Sequence, residues 1–295
     1  MTNLHLEDTS SEAWDIEITP NASAFHLNLG ELWRYRDLIF LMVKRDFTAR
    51  YKQTVLGPLW NFIQPILTTI VSFLVFNVIA KIATPGKNPV LFQMSGIIIW
   101  TYFAACLTST ANTFIANAGI FGKVYFPRLV APISVIISNL VQLGIQLLLL
   151  AGTLLFFFFK NGETIAVNAN WLLLPFIIIM IAGTGLGMGI MISSVTTKYR
   201  DFVVLIGFGV QLLMYGSAVN YPLSELEKNT HTGSLLVSLV KWNPISTLVE
   251  AFRNSLLGGE IRYWMLGYCA IFMMLVLLLG IMMFNRVEKT FMDTV

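Results

Sequence analysis

"KRDFTARYKQTVLGPLWNFIQPILTTIVSFLVFNVIA", residues 44–80, is the stretch that decides the fold class. Lys44, Arg45, Arg50 and Lys52 crowd its start, whereas residues 58–80 carry no charge. An uncharged apolar run of about 20 residues is long enough to cross the bilayer hydrocarbon as a helix. Lipid offers the backbone no hydrogen-bond partner, so a helix is the form such a run must take. Basic residues flanking a span hold their end on the cytoplasmic side.

Upstream, a projection at 100° per residue gathers Trp33, Ile39, Phe40, Val43, Phe47 and Tyr51 on one side. Arg34, Asp37, Lys44, Arg45, Thr48 and Lys52 gather on the other. This predicts a basic amphipathic helix over 31–57, lying in the cytoplasmic interface and anchored by Trp33, Arg34, Lys44, Arg45, Arg50 and Lys52. Gly57 lets the chain turn, and Pro58 suits the first turn of the next helix.

The rest of the chain repeats the pattern. Of 295 residues, 56% are hydrophobic and 12% charged, with a mean hydropathy of +0.72, so lipid is the expected solvent. Apolar runs near 58–80, 91–116, 129–159, 171–194, 203–220 and 263–284 predict six spans within 58–285. Residues 1–30 read as a polar cytoplasmic tail without the basic and apolar regions of a cleavable leader, and 286–295 as a second tail. Lys123 and Arg128, Lys198 and Arg200, and Arg286 and Lys289 fall in alternate connections, which places both termini in the cytoplasm. Two cysteines in apolar runs and three scattered histidines predict neither a disulfide framework nor a metal site.

The connection 221–262 is unusual. Residues 234–240 and 245–257 are apolar but too short to cross; Lys241-Trp242-Asn243-Pro244 separates them and Gly258-Gly259 closes the second. Two short helices that dip into the outer leaflet and return fit this pattern, with Trp242, Pro244, Glu250 and Arg253 as the residues that shape them. Helices flat in the outer interface are the alternative. Glu250 and Arg253, spaced i, i+3, can pair on one helix face, which lowers the cost of burying either; separate contacts to headgroups or to substrate phosphate are the rival.

No phosphate-cradling GxxxxGK[ST] occurs, so the chain is not expected to bind ATP or catalyse its hydrolysis. The string GTGLGMG at 183–189 lies within a span; Gly183/Gly187 and Gly185/Gly189 form two interleaved small-residue pairs suited to close helix packing. The first five spans carry no Asp, Glu, Lys or Arg, which argues against an ion-coupled transporter. Uncharged polar residues within them, among them Asn112, Asn139 and Gln142, suit interhelical hydrogen bonds or a path for a hydroxyl-rich solute.

Several stretches in order along residues 31–285 resemble the permease subunits of type 2 ABC exporters of polysaccharides: MVKRDFTARYKQTVLGPLW at 42–60, FPRLVAPIS at 126–134, KYRDF at 198–202, MYGSAVNYPLSEL at 214–226 and NPISTLVEAFRNSLLGG at 243–259. The resemblance implies an inner-membrane homodimer with two copies of a separate ATPase, which binds ATP and Mg. The implied cargo is a lipid-linked polysaccharide of the O antigen, capsule or teichoic acid kind, and no nucleic acid. It further implies that 117–128 and 196–202 contact the ATPase, through Lys123, Tyr125, Phe126, Arg128, Lys198, Tyr199, Arg200 and Asp201. Residues 234–258 become an outer gate. Trp100, Tyr102, Phe103, Tyr215 and Tyr221, toward the outer ends of spans, read either as an interfacial belt or as path-lining rings. Rival readings are a permease for a small lipid or drug, or a polyprenyl-linked glycosyltransferase, which would need acids or bases gathered at one membrane face.

Overall fold

The computed structural model describes residues 29–121, 126–161, 168–196, 201–228 and 234–291. Every regular element among them is helical. Two helices, α1 (Leu29–Arg34) and α2 (Arg36–Tyr51), precede α3 (Trp60–Ser72), which runs on through a π-helical stretch, Phe73–Ile79. Then follow α4 (Pro89–Phe121), α5 (Val130–Asn161), α6 (Leu174–Thr196) and α7 (Phe202–Tyr215). Three short helices, α8 (Leu223–Lys228), α9 (Ser234–Trp242) and α10 (Pro244–Leu257), lead to α11 (Tyr263–Phe291).

Five helical stretches among the described residues are long and apolar enough to cross a membrane: 57–79, 89–117, 130–160, 169–196 and 263–284. The outward faces of α3, α5, α7 and α11 are studded with exposed Ile, Leu, Val and Phe. In water such surface would drive aggregation; in lipid it is the solvated face. The chain is an all-helical integral membrane protein.

The centre of the bundle is α4. Residues 91–100 are buried without interruption, because α4 is flanked by α3, α5, α6 and α10. On its far side α6 packs on α11. The glycines explain how one helix touches two neighbours so closely. A Cβ at Gly187 would meet Leu277 N at 2.8 Å and Val276 C at 2.9 Å on α11, while one at Gly185 would meet Cys106 Cβ at 2.8 Å on α4. Gly183 likewise faces α11 and Gly189 faces α4. Each small-residue pair therefore serves a different seam, as expected where packing rather than hydrophobicity drives association.

Two expectations need correction here. The stretch 31–57 is not one interfacial helix: the chain breaks at Tyr35, and α2 ends at Tyr51. Part of α2 also packs on protein: Ile39 and Met42 are buried against Phe126, Val130 and Ala131 at the start of α5, while Trp33, Phe40 and Phe47 stay exposed. The isolated projection could not include the apolar partner that α5 offers. The fifth apolar run is likewise shorter than predicted, since α7 stops at Tyr215 after 14 residues.

Candidate functional site

The early end of α7 sets up the site. Residues 216–222 leave the helix but stay inside the protein: Ser217, Ala218, Val219 and Asn220 are all buried. Ala218 takes a positive φ of 49°, a conformation a residue with a Cβ holds only where its surroundings impose it. Irregular backbone at such depth must find donors inside the protein for its carbonyls.

Four carbonyls of this stretch, those of Gly216, Ala218, Val219 and Asn220, receive side-chain donors from other parts of the chain, and Tyr221 turns back to cap the end of α7. Tyr221 Oη donates to Tyr215 O at 2.6 Å. Asn243 Nδ2 donates to Gly216 O at 2.9 Å, and Gln93 Nε2 donates to Asn220 O at 3.0 Å. Arg253 serves the middle: Nη2 donates to Val219 O at 2.6 Å, Nη1 to Ala218 O at 3.5 Å, and Nε to Phe92 O on α4 at 3.2 Å. The guanidinium carbon sits 3.6 Å from the centroid of the Phe92 ring. A guanidinium suits this position because its rigid fork of donors addresses several acceptors at once and stacks on aromatic faces.

Space for that fork comes from Gly96. A Cβ there would lie well inside contact distance of Arg253 Nη2, and 2.6 Å from Val219 O. Helix α10, which carries Arg253, is started by Asn243, whose Oδ1 accepts from Ile245 N at 3.0 Å, with Pro244 in the first turn. It is ended by Gly258 and Gly259, at φ 75° and 149°. Most of α10 is buried among α4, α6 and α11 rather than lying on a surface.

The predicted Glu250–Arg253 pair is a correction. Ion pairs within 4 Å among the described residues are Arg36–Asp37 and Arg45–Asp46. Arg253 is 2% exposed and points toward carbonyls on α4 and the 216–222 stretch, so the i, i+3 neighbour does not capture it. Glu250 instead lines a cavity of about 240 Å³ with Lys87, Asn254, Glu260 and Arg262, next to Arg253. Lys87 Nζ donates to Asn254 Oδ1. Burial pulls the Lys87 ammonium down from 10.5 to about 8; the charge of Arg253 pushes the same way and Glu250 opposes both.

The other candidates fall in different places. Trp242 is half exposed and meets Trp264 and Tyr268 edge to face, with ring centroids 6.1 and 6.0 Å away; Tyr268 Oη donates to Trp242 O at 3.1 Å. Trp100, Tyr102 and Phe103 are buried in the main core. They form neither a belt nor, within one chain, a path, because α4 begins at Pro89 and carries them deep into the bundle. Tyr215 is exposed and Tyr221 half-buried.

Of the expected ATPase contacts, Phe126 is also corrected. It is buried against α2 and stacks on Phe121 at 5.3 Å, so it is spent inside its own chain. Arg128 is half-buried and Asp201 exposed; Lys123, Tyr125, Lys198, Tyr199 and Arg200 lie outside the described residues. Trp33 and Arg34 on α1, Lys44 on α2 and Lys52 just beyond its end are exposed. Arg45 and Arg50 turn inward instead: Arg45 Nη2 donates to Asn117 Oδ1 at 3.0 Å, and Arg50 donates to Gln142 and, at 3.5 Å, to Asn139 Oδ1.

The pattern of the ABC-2 type transporter family matches residues 37–257, which takes in α2, the carbonyl-bearing break and the whole of α10. The chain belongs to this family. Its relatives include the O-antigen export system permease protein RfbA of Klebsiella pneumoniae, 25% identical over 90% of this chain and 96% of that protein. RfbA of Myxococcus xanthus is 27% identical over 76% and 81%. The polysialic acid transport protein KpsM of Escherichia coli is 23% identical over 85% and 93%. In this ABC-2 transporter, Gln93, Gly96 and the 216–220 carbonyls are site residues the sequence reading missed. The signal available for them was the string GSAVNYP at 216–222, whose Gly and Pro are poor company for a continuous span.

Proposed function

We propose that the chain is the membrane-embedded permease subunit of an ATP-driven exporter of a lipid-linked polysaccharide. The observation that carries this reading is the similarity to two O-antigen export permeases and a polysialic acid transport protein, each matched over more than four fifths of its own length. Spans with uncharged polar side chains and no ion relay agree with it. In this reading α7 is a shortened fifth span of six, both termini are cytoplasmic, and α9 and α10 form a re-entrant gate on the outer side. Two copies of the chain enclose the path. ATP and Mg belong to two separate ATPase subunits.

Deleting the gene should abolish polymer at the cell surface and leave it inside the cell, with recovery on complementation. Topology is read separately with single cysteines in a Cys-free background. Ala83→Cys should label from outside with an impermeant reagent and Lys52→Cys only from inside. Normal surface polymer in the deletion strain refutes the export reading; outside labelling at position 52 refutes the topology.

A further inference from the structure

Away from Arg253, α2, α4 and α5 line an open cavity of about 470 Å³. Arg45, Arg50, Asn112, Asn117, Ser138 and Asn139 line it, and Asp46 is the one acid in its wall. Ser138 is eight residues into α5, about 12 Å along the helix axis. This is polar space within a span, where polar groups are costly and mark binding or conduction.

The charges are unbalanced. Asp46 is taken by Arg45, whose Nε and Nη2 both donate to Asp46 Oδ1, at 2.9 and 2.7 Å. Among the described residues Arg50 meets only the neutral amide oxygens of Gln142 and Asn139. Ser138 is 8% exposed, and its buried Oγ has no hydrogen-bond partner among the described residues. A surplus guanidinium, an unused hydroxyl and a void far larger than the roughly 30 Å³ of one water describe a site for an oxyanion. The surroundings say what carries that oxyanion. Leu140, Val141 and Leu148 on α5 and Phe47 on α2 are exposed apolar side chains on the helices that form the wall. An acyl or prenyl chain can lie along that face while its headgroup enters between the helices.

We propose that the cavity between α2, α4 and α5 binds the phosphate or diphosphate headgroup of a membrane lipid, gripped by Arg50 and Arg45 and hydrogen-bonded by Ser138. The binding does not depend on the export reading. If that reading holds, the lipid is either the carrier of the polymer or a bilayer lipid that seals α2 against the bundle.

The test uses the full chain purified in a phosphate-free maltoside detergent. Phosphatidylglycerol, a polyprenyl diphosphate and inorganic pyrophosphate are titrated separately and bound equivalents counted by native mass spectrometry. Saturable binding of one lipid per chain is expected, weakened about tenfold or more by Arg50→Gln and about two- to tenfold by Ser138→Val. Arg50→Lys should fall between wild type and Arg50→Gln, and Arg36→Gln, an equal charge change away from the cavity, should bind as wild type. Preference for the glycerophospholipid or for the polyprenyl diphosphate identifies the source, and either supports the site. Absence of lipid binding, binding of pyrophosphate alone, or equal affinity in wild type, Ser138→Val and Arg50→Lys overturns it. Surface polymer is not the readout, so failure here leaves the exporter reading untouched.

Discussion

Replacing Arg253 by Met should destabilise the protein by about 3 kcal/mol, and replacing Glu250 by Gln should change almost nothing. The first figure follows from the contacts. Arg253→Met strips donors from Phe92 O, Ala218 O and Val219 O, buried acceptors that cost about 1 kcal/mol or more each when left unmade. It also removes a desolvated cation from the Phe92 face, about 2 kcal/mol at most. Relief of the guanidinium's own desolvation cost offsets part of that sum. The remainder is about a hundredfold in the unfolding equilibrium. Arg253→Lys should recover only part of it, since one compact ammonium cannot address carbonyls on two elements. Glu250→Gln removes no contact from this network and should stay within about 0.5 kcal/mol. Unfolding by SDS titration in mixed micelles, followed by tryptophan fluorescence, measures all three. Gly96→Ala, which puts a methyl in the guanidinium's space, should cost less in the Arg253→Met background than alone, because one of its two clashes is then gone while that with Val219 O at 2.6 Å remains. Wild-type stability for Arg253→Met, or equal losses for Glu250→Gln and Arg253→Met, would refute the carbonyl network as what fixes α10.

Three further outcomes are expected. Gly187→Ala should lower stability by about 1–3 kcal/mol by forcing α6 off the backbone of α11, whereas Gly207→Ala, with open space around its Cβ, should be neutral or slightly stabilising; the same SDS titration compares them. Because the Lys87 ammonium titrates near 8 in the folded protein and near 10.5 unfolded, the unfolded chain binds the extra proton between those values, so stability should rise with pH across that window. The rise should vanish in Lys87→Met when unfolding is measured at several pH values. Phe126→Ala should cost about 3–5 kcal/mol and expose α2 to limited proteolysis, since Phe126 holds Ile39 and Met42 against α5.

How much of this was legible in the sequence depends on whether the deciding contact is local. Five of the six expected spans were, because length and hydropathy answer to the bilayer alone, and so was the glycine string, whose spacing by four forces each pair onto one helix face. The start of α10 was legible for the same reason: Asn243 and Pro244 act on the two residues that follow them. Arg253 was not. Sequence spacing offers it Glu250, three residues away, but its partners lie 161, 35 and 34 residues away in the chain. Phe126 was misread similarly, as a knob for another protein, because nothing local announces that α2 folds back over it.

The two misreadings share a cause, and the Arg253 case carries a consequence for function. A span that stops at Tyr215 leaves carbonyls that lipid cannot satisfy, so the stretch 216–222 requires donors, and α4 and α10 supply them through Gln93, Asn243 and Arg253. No single change of position at α10 keeps those bonds unless the end of α7 moves with it. In the proposed gate, α10 and the foot of α7 are tied to each other by Asn243 and Arg253, and both are tied to α4, by Arg253 Nε to Phe92 O and by Gln93 Nε2 to Asn220 O. The strained φ at Ala218 lies inside this tied stretch, with Arg253 donating to Ala218 O and Val219 O. Ala218→Gly should therefore relieve the strain, raise stability modestly and leave the three Arg253 contacts in place. If instead it lowered stability as much as Arg253→Met, the turn rather than the guanidinium would be what fixes the break.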